Sequence, residues 1–197
     1  MLKSVDAAFP LFSYKLWNES LLCRWKLEGE RSLSDFFAGL VSERVRDLEK
    51  IFPGFSLVPV PPRKGKIRKE GWDQIDELSK FLEFRYGVKV SRILERNTSV
   101  QQKTLDREER LSMMLSSEGG AYSLKKHRNG RNRRKSREDG RSSSSAAGST
   151  QAHLPVPERV VILDDVMTTG ATVEGIARLL KENGAKEVMV ITIFTVD

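Results

Sequence analysis

The stretch Val160-Val-Ile-Leu-Asp-Asp-Val-Met-Thr-Thr-Gly-Ala-Thr172 decides the fold class of this 197-residue chain. Its first four residues are apolar and predict a buried strand. The sequence then predicts a helix from Thr172 to Asn183 with Gly184 as its C-cap, and an apolar strand from Val188 to Val196. Strand, helix and strand at this spacing form a parallel βαβ unit, which predicts an α/β protein.

Two acids and a loop of small residues follow the first strand, where open parallel sheets bind ligands. Gly170 permits a turn that other residues resist, and the amides and hydroxyls from Thr168 to Thr172 can bind a phosphate. The carboxylates of Asp164 and Asp165 would repel a phosphate but can accept hydrogen bonds from the two hydroxyls of a ribose. The pattern therefore predicts a site for a ribose 5-phosphate. The alternative, that Asp164 caps a loop and Thr172 caps a helix, accounts for only two residues of the pattern.

Periodicity and turn residues predict further elements upstream. They are a helix from Leu33 to Ile51, a strand in Phe55-Ser-Leu-Val-Pro-Val-Pro-Pro62, a basic loop from Arg63 to Lys69, a helix from Asp73 to Tyr86 that stops at Gly87, a strand from Val88 to Ile93, a helix from Leu105 to Leu115 and a brief strand from Ala121 to Leu124. Prolines end the first of these strands because they cannot donate to a sheet ladder.

The acid and glycine pattern of residues 160–172 resembles the phosphoribosyl-diphosphate signature of type I phosphoribosyltransferases. Within that superfamily the chain resembles the ComF group. The residues that carry this second resemblance are Val58-Pro-Val-Pro-Pro62 before Arg63, then Gly71-Trp-Asp-Gln74, and then Gln102-x-x-Leu105 with Arg107 to Arg110. Cys23, the one cysteine, cannot form the four-cysteine zinc ribbon with which ComF proteins usually open.

The resemblance implies a Rossmann-like parallel sheet flanked by helices, with residues 1–54 as an N-terminal helical hood and residues 55–197 as the phosphoribosyltransferase domain. It also implies a substrate, phosphoribosyl diphosphate, with Mg²⁺ bound through the substrate's diphosphate and no metal site of the protein's own. The implied catalytic residues are Asp164, Asp165 and Arg68. The implied substrate-binding residues are Asp164, Asp165, Thr168, Thr169, Gly170, Ala171, Thr172, Pro61, Pro62, Arg63 and Lys64.

The formal charge of +7 and the pI of about 9.6 arise from one segment. Between Ser123 and Arg141 there are nine basic and two acidic residues, while the rest of the chain has 25 of each. This segment opens an insertion at about residues 125–157 that is rich in basic, serine, alanine and glycine residues, and we predict that it is disordered. It can bind DNA through phosphate contacts or serve as a solubilising linker.

Three functions are compatible with these patterns. The first is transfer of a phosphoribosyl group to a nucleobase or amine in nucleotide metabolism. The second is a non-catalytic module that senses the same metabolite while another part of the chain engages DNA or protein. The third, implied by the association of ComF proteins with DNA uptake, is a competence accessory protein with a vestigial pocket. The single cysteine and the absence of about 18 consecutive apolar residues predict a cytoplasmic protein without membrane contact.

Overall fold

A sheet of four parallel strands organises the fold, in the order β1 (Ala7–Ser13), β6 (Glu187–Thr195), β5 (Arg159–Met167) and β2 (Ser56–Pro59). The computed structural model describes residues 2–13, 17–97, 121–127 and 153–196. β5 lies at the centre of the sheet because Val160–Leu163 is an uninterrupted apolar run, fully buried on both faces. The predicted parallel α/β sheet is thus confirmed.

The helices of the described residues are α1 (Trp17–Lys26), α2 (Ser32–Ile51), α3 (Lys66–Glu70), α4 (Gln74–Tyr86) and α5 (Ala171–Glu182). Of these, α2 and α4 pack on one face of the sheet and α5 packs on the other. A small antiparallel pair, β3 (Leu94–Arg96) with β4 (Tyr122–Leu124), lies apart from the main sheet. The bounds of α2, α4 and β4 match the predicted elements to within one residue.

Alternate residues of β5 face different hydrophobic cores. Val161 and Leu163 pack with α2, α4 and Trp25, whereas Val160 and Ile162 pack with α5 and the β3–β4 pair. Successive side chains of a strand point to opposite faces, so both cores meet at this strand. Each fully buried large apolar side chain contributes about 1.5–3 kcal/mol to stability, which fixes the register of β5 and the positions of the residues that end it.

The N-terminal segment differs from the predicted helical hood because it begins with a strand. Ala7–Ser13 pairs in parallel with β6 at the edge of the sheet. Pro10 interrupts the apolar pattern of this segment and weakens its strand signal, but an edge strand tolerates proline because one side of its ladder is unpaired. The helices of residues 17–51 follow this strand, and α2 shares a core with the sheet.

Three predicted boundaries are corrected. β5 continues to Met167, because β6 pairs with it as far as Thr195, so the two acids belong to the strand itself. The basic loop becomes α3 from Lys66 onward. The predicted strand Val88–Ile93 is reduced to one bridge, Val90 with Leu57, bordered by two backbone hydrogen bonds of Leu57.

The two ends of the predicted insertion lie side by side. Lys126 and His153 form an isolated antiparallel bridge, and the Leu154 amide donates to the Lys125 carbonyl at 2.9 Å. These end residues, within the predicted range of 125–157, are therefore paired. Three predicted segments lie outside the described residues, so what was predicted for them remains a prediction. They are residues 128–152, the helix Leu105–Leu115 and the segment Gln102–Arg110.

Candidate functional site

Asp164 and Asp165 end the buried part of β5 and lie in different surroundings. By strand alternation Asp164 shares the face of Val160 and Ile162, towards α5, and Asp165 shares the face of Leu163. Asp164 is 7% exposed and accepts a hydrogen bond from the Asp165 amide at 2.9 Å. Burial, with a further contribution from the neighbouring Asp165 charge, raises the pKa of Asp164 to about 8. This raised pKa favours the neutral form of the Asp164 carboxyl.

Lys26, the last residue of α1, forms an ion pair with Asp165. Its Nζ lies 2.7 Å from Asp165 Oδ2, and the Asp165 side chain is only 17% exposed. The other carboxylate oxygen, Oδ1, accepts the Val166 amide at 2.8 Å. Lys26 was absent from the residues predicted from sequence, because nothing in the sequence indicates that α1 ends beside β5.

The loop from Thr168 to Thr172 follows β5 directly and leads into α5. Gly170 has φ +74°, in the left-handed region, and serves as the N-cap of α5, so the helix begins one residue earlier than predicted. Thr168, Thr169, Ala171 and Thr172 are exposed, as a loop that receives a phosphate requires. Gly170 alone is buried: a Cβ there would lie 2.6 Å from Cδ2 of Leu2.

The second loop begins where β2 ends. The Val60 amide donates to the Leu163 carbonyl at 2.9 Å, which joins this end of β2 to β5 beside the acids. Pro61 and Pro62 are half-buried and Arg63 and Lys64 are exposed. The loop therefore presents its cations at the same edge of the sheet as Asp164 and Asp165.

The cations of this loop differ in their partners. Lys66 Nζ lies 2.7 Å from Asp73 and also contacts Gln74, so its charge is already neutralised. Within residues 2–13, 17–97, 121–127 and 153–196 no ion pair involves the remaining four cations, which are Arg63, Lys64, Arg68 and Lys69. Four uncompensated cations attract a polyanionic ligand such as a diphosphate.

The segment Gly71–Gln74 has a mainly structural role. Asp73 caps α4, accepting the amides of Ile75 and Asp76 at 3.1 Å each. Trp72 is half-buried and packs against the core shared by α2 and α4. Gln74 and Asp73 also hold Lys66, so this motif fixes the end of the basic loop.

One cavity of about 870 Å³ brings the acids and the basic loop together. Its lining includes six predicted site residues: Pro62, Arg63, Lys64, Arg68, Asp164 and Asp165. Pro61 and the loop Thr168–Thr172 are not part of this lining, although the loop continues from the strand that carries the acids. Lys26, Leu27, Glu70 and Arg96 are among the other residues of the lining. The cavity is large enough for a sugar phosphate and its diphosphate.

The β3–β4 pair adds two residues that sequence reasoning missed. The Arg96 guanidinium lies 5.5 Å from the ring centroid of Tyr122 and also lines the cavity. Burial is the main cause that raises the pKa of Tyr122, and the charges of Arg96, Asp164 and Arg63 also affect this pKa. The Tyr122 side chain forms a hydrogen bond with Thr172. Tyr122 thus connects the phosphate loop to the cavity. A basic and an aromatic residue in a brief strand carry no sequence signal for this placement.

No helix in the described part of the chain is long and apolar enough to span a membrane. Within the same residues no three His, Cys, Asp or Glu side chains form a group that could hold a metal ion.

Comparisons with known proteins agree with this architecture. Residues 122–197 match the family described as phosphoribosyl transferase domain. Over 178 residues the chain is 23% identical to a protein named Competence protein ComFC from Streptococcus pneumoniae (strain ATCC BAA-255 / R6). That match covers 90% of this chain and 63% of the relative, so the chain spans less than two thirds of the relative's length. Residues 122–197 are therefore similar to phosphoribosyl transferase domains, and the chain is similar to the ComFC protein over most of its length.

Proposed function

We propose that the chain binds phosphoribosyl diphosphate and transfers the phosphoribosyl group to the nitrogen of a nucleobase or amine. The observation that carries this proposal is the cavity that joins the acids at the end of β5 to the uncompensated cations after β2. An acid pair suits a ribose diol, and cations suit a diphosphate. A ligand with both groups matches the arrangement.

Each part of the site would bind one part of the substrate. Asp164 and Asp165 would orient the ribose hydroxyls, and the loop Thr168–Thr172 would hold the 5-phosphate. Arg63, Lys64 and the backbone at Pro61 and Pro62 would bind the pyrophosphate. In the transfer, the bond from the anomeric carbon to the pyrophosphate oxygen breaks and a bond to the acceptor nitrogen forms. The pyrophosphate leaves with the electron pair, and the acceptor nitrogen releases a proton to solvent.

Arg68 would offset the charge that develops on the leaving pyrophosphate. It lies on α3, lines the cavity and has no ion pair among the described residues. A cation placed where negative charge develops lowers the barrier, because it interacts more strongly with the transition state than with the bound substrate.

A Mg²⁺ ion bound through the substrate's diphosphate fits the residues present. Asp164 is buried with a raised pKa and Asp165 is paired with Lys26, so neither is an exposed, free carboxylate that would build a protein-held metal cage. Mg²⁺ is commonly held by substrate phosphates and water rather than by a full set of protein ligands. When bound, the ion would neutralise part of the charge of the diphosphate.

The acceptor would lie at the end of α1. Leu27 is 78% exposed and lines the cavity beside Lys26, so it offers an apolar surface to a planar ring. Such a reaction uses a phosphorylated metabolite, and we accordingly place the protein in the cytoplasm.

A pyrophosphate-release assay tests the transfer. The folded protein should release pyrophosphate from phosphoribosyl diphosphate and Mg²⁺ when the right nucleobase or amine is supplied. Arg68→Met should lower kcat by about tenfold or more with a smaller change in KM. The control Arg44→Met, on α2 at a residue that does not line the cavity, should leave kcat unchanged. Release that is independent of every acceptor and unaffected by Arg68→Met would contradict the proposal.

A second candidate is a competence accessory role in which the cavity binds the metabolite without turnover. The similarity to a protein named for competence favours it, as does the basic stretch of the sequence, which would contact DNA or a protein of the competence machinery. Binding of phosphoribosyl diphosphate without pyrophosphate release, together with salt-dependent DNA binding, would favour this role over the first.

A further inference from the structure

The end of α1 is rigidly placed relative to the acids of β5. Trp25 is fully buried, its ring centroid lies 4.7 Å from that of Phe37, and its Nε1 donates to Ser34 Oγ at 2.8 Å. Ser34 in turn donates to Glu77 of α4 at 3.0 Å. Lys26, the next residue after Trp25, is thus attached to a fixed point of the core.

The contact that Lys26 makes is specific to one acid. Its Nζ lies 2.7 Å from Asp165 Oδ2, and the Lys26 side chain, 40% exposed, also lines the cavity. The same carboxylate accepts the Val166 amide through Oδ1 at 2.8 Å. A carboxylate has about four acceptor positions, so these two bonds fix its orientation and leave acceptor capacity for ribose hydroxyls.

The ion pair also settles a problem of charge. The proposed ligand brings a phosphate and a diphosphate to the edge of the sheet at which Asp165 lies, where an uncompensated carboxylate would repel them. Lys26 offsets this charge, so the cations that follow β2 do not pair with Asp165 and remain available for the pyrophosphate.

We propose that Lys26 is a positioning residue of the ribose site, which acts through Asp165 by fixing the orientation of its carboxylate and offsetting its charge. The assignment rests on the proposed function, since it concerns how that site receives its ribose. It gives α1 a role in binding the sugar, in addition to forming the wall next to the acceptor.

Calorimetric titration of ribose 5-phosphate without metal tests the assignment. Lys26→Met should weaken binding by about tenfold, while Lys26→Arg should keep affinity within about threefold of wild type. Lys50→Met is the matched control, because Lys50 pairs with the exposed Asp47 and does not line the cavity, and it should bind like wild type. Unfolding curves establish that each variant is folded.

Two further measurements separate positioning from general attraction. Lys26→Met should leave the affinity for pyrophosphate with Mg²⁺ within about twofold of the wild-type value. In an Asp165→Asn background, Lys26→Met should lower the affinity for ribose 5-phosphate by at most about twofold, because the residue through which Lys26 acts is already changed. Equal losses for both ligands, or unchanged or tighter ribose 5-phosphate binding, would overturn the role of Lys26 alone. Failure of folded wild type to bind either ligand would instead overturn the proposed function, and the role of Lys26 with it.

Discussion

Asp164 on β5 lies in register with Thr192 on β6, and both side chains are almost fully buried. The Thr192 hydroxyl has no hydrogen-bond partner among the described residues, so it does not donate to the Asp164 carboxyl. Burial without this donor favours the neutral acid, which accords with a pKa raised by burial to about 8. The site therefore contains one buried acid whose pKa is raised and one acid that is paired with a lysine.

The ionisation of Asp164 should reduce the stability of the ligand-free protein as pH rises. The folded protein retains this proton up to about pH 8, whereas the unfolded chain loses it near pH 3.8, so stability falls between these values. Asp164→Asn should therefore be more stable than wild type, and the gain should be about 3–4 kcal/mol larger at pH 8 than at pH 5. Urea unfolding at the two pH values measures this difference.

Asp47→Asn is the control for this titration. Asp47 is an exposed carboxylate whose pKa is lowered by a hydrogen bond with Lys50. The stability of Asp47→Asn relative to wild type should therefore not increase as pH rises. If Asp164→Asn had the same unfolding midpoint as wild type at both pH values, a neutral buried Asp164 would be excluded.

Gly170→Ala should destabilise the protein by more than the cost of placing alanine in a left-handed backbone conformation. The new Cβ would lie 2.6 Å from Leu2 Cδ2, and the φ of +74° already disfavours alanine. Gly54→Ala has a similar φ of +76° with nothing within 4 Å, so it isolates the backbone cost of about 1–2 kcal/mol. We expect Gly170→Ala to exceed it by about 1 kcal/mol in thermal unfolding, and Leu2→Ala to relieve the excess. Equal losses for the two alanine variants would show that Leu2 does not cover the loop.

Tyr122→Phe tests the connection between the β3–β4 pair and the phosphate loop. Removing the phenol hydroxyl takes away the partner of Thr172, so ribose 5-phosphate should bind about three- to tenfold more weakly with little change in stability. Tyr86→Phe is the matched control, because Tyr86 lies on α4 and does not line the cavity. An unchanged affinity of the Tyr122 variant in calorimetry would assign the hydrogen bond a structural role only.

The paired ends of the insertion predict that its middle can be removed. Lys126 and His153 already form an antiparallel bridge, so replacing residues 127–152 by Asn-Gly joins them through a two-residue hairpin turn. The shortened protein should keep its unfolding free energy within about 1 kcal/mol and its affinity for ribose 5-phosphate. If it also loses salt-dependent DNA binding, the removed residues carry that interaction. Loss of the fold on this replacement would contradict the prediction.

The parts of the fold that were predictable are those with a strong periodic or turn signal. Three elements are determined by residues within the element itself. They are β5 through the apolar run Val160–Leu163, α2 through the spacing of its apolar residues, and α4 through its caps Asp73 and Gly87. The strand Ala7–Ser13 was missed because Pro10 breaks its pattern, and only pairing with β6 makes it a strand. Local sequence cannot report such tertiary pairing.

The same distinction applies to the site. Asp164, Asp165 and the Thr168–Thr172 loop are contiguous, so a motif reveals them, and Arg63 and Arg68 stand in an evident basic run. Lys26, Arg96 and Tyr122 come from three separate elements and meet the acids only through packing. The anchoring of α1 by Trp25, for example, depends on Ser34 and Glu77, which are distant in sequence from β5.

Calorimetric titration of phosphoribosyl diphosphate with Mg²⁺ into wild type and an Asp164→Ala, Asp165→Ala double variant tests whether the two acids form the binding site. We expect wild type to bind with a Kd on the order of micromolar, and we expect the double variant to bind at least about a hundredfold more weakly. The control Asp47→Ala should bind like wild type. A well-folded wild type that does not bind, or a double variant that binds equally well, would contradict the claim that these acids form a phosphoribosyl-diphosphate site.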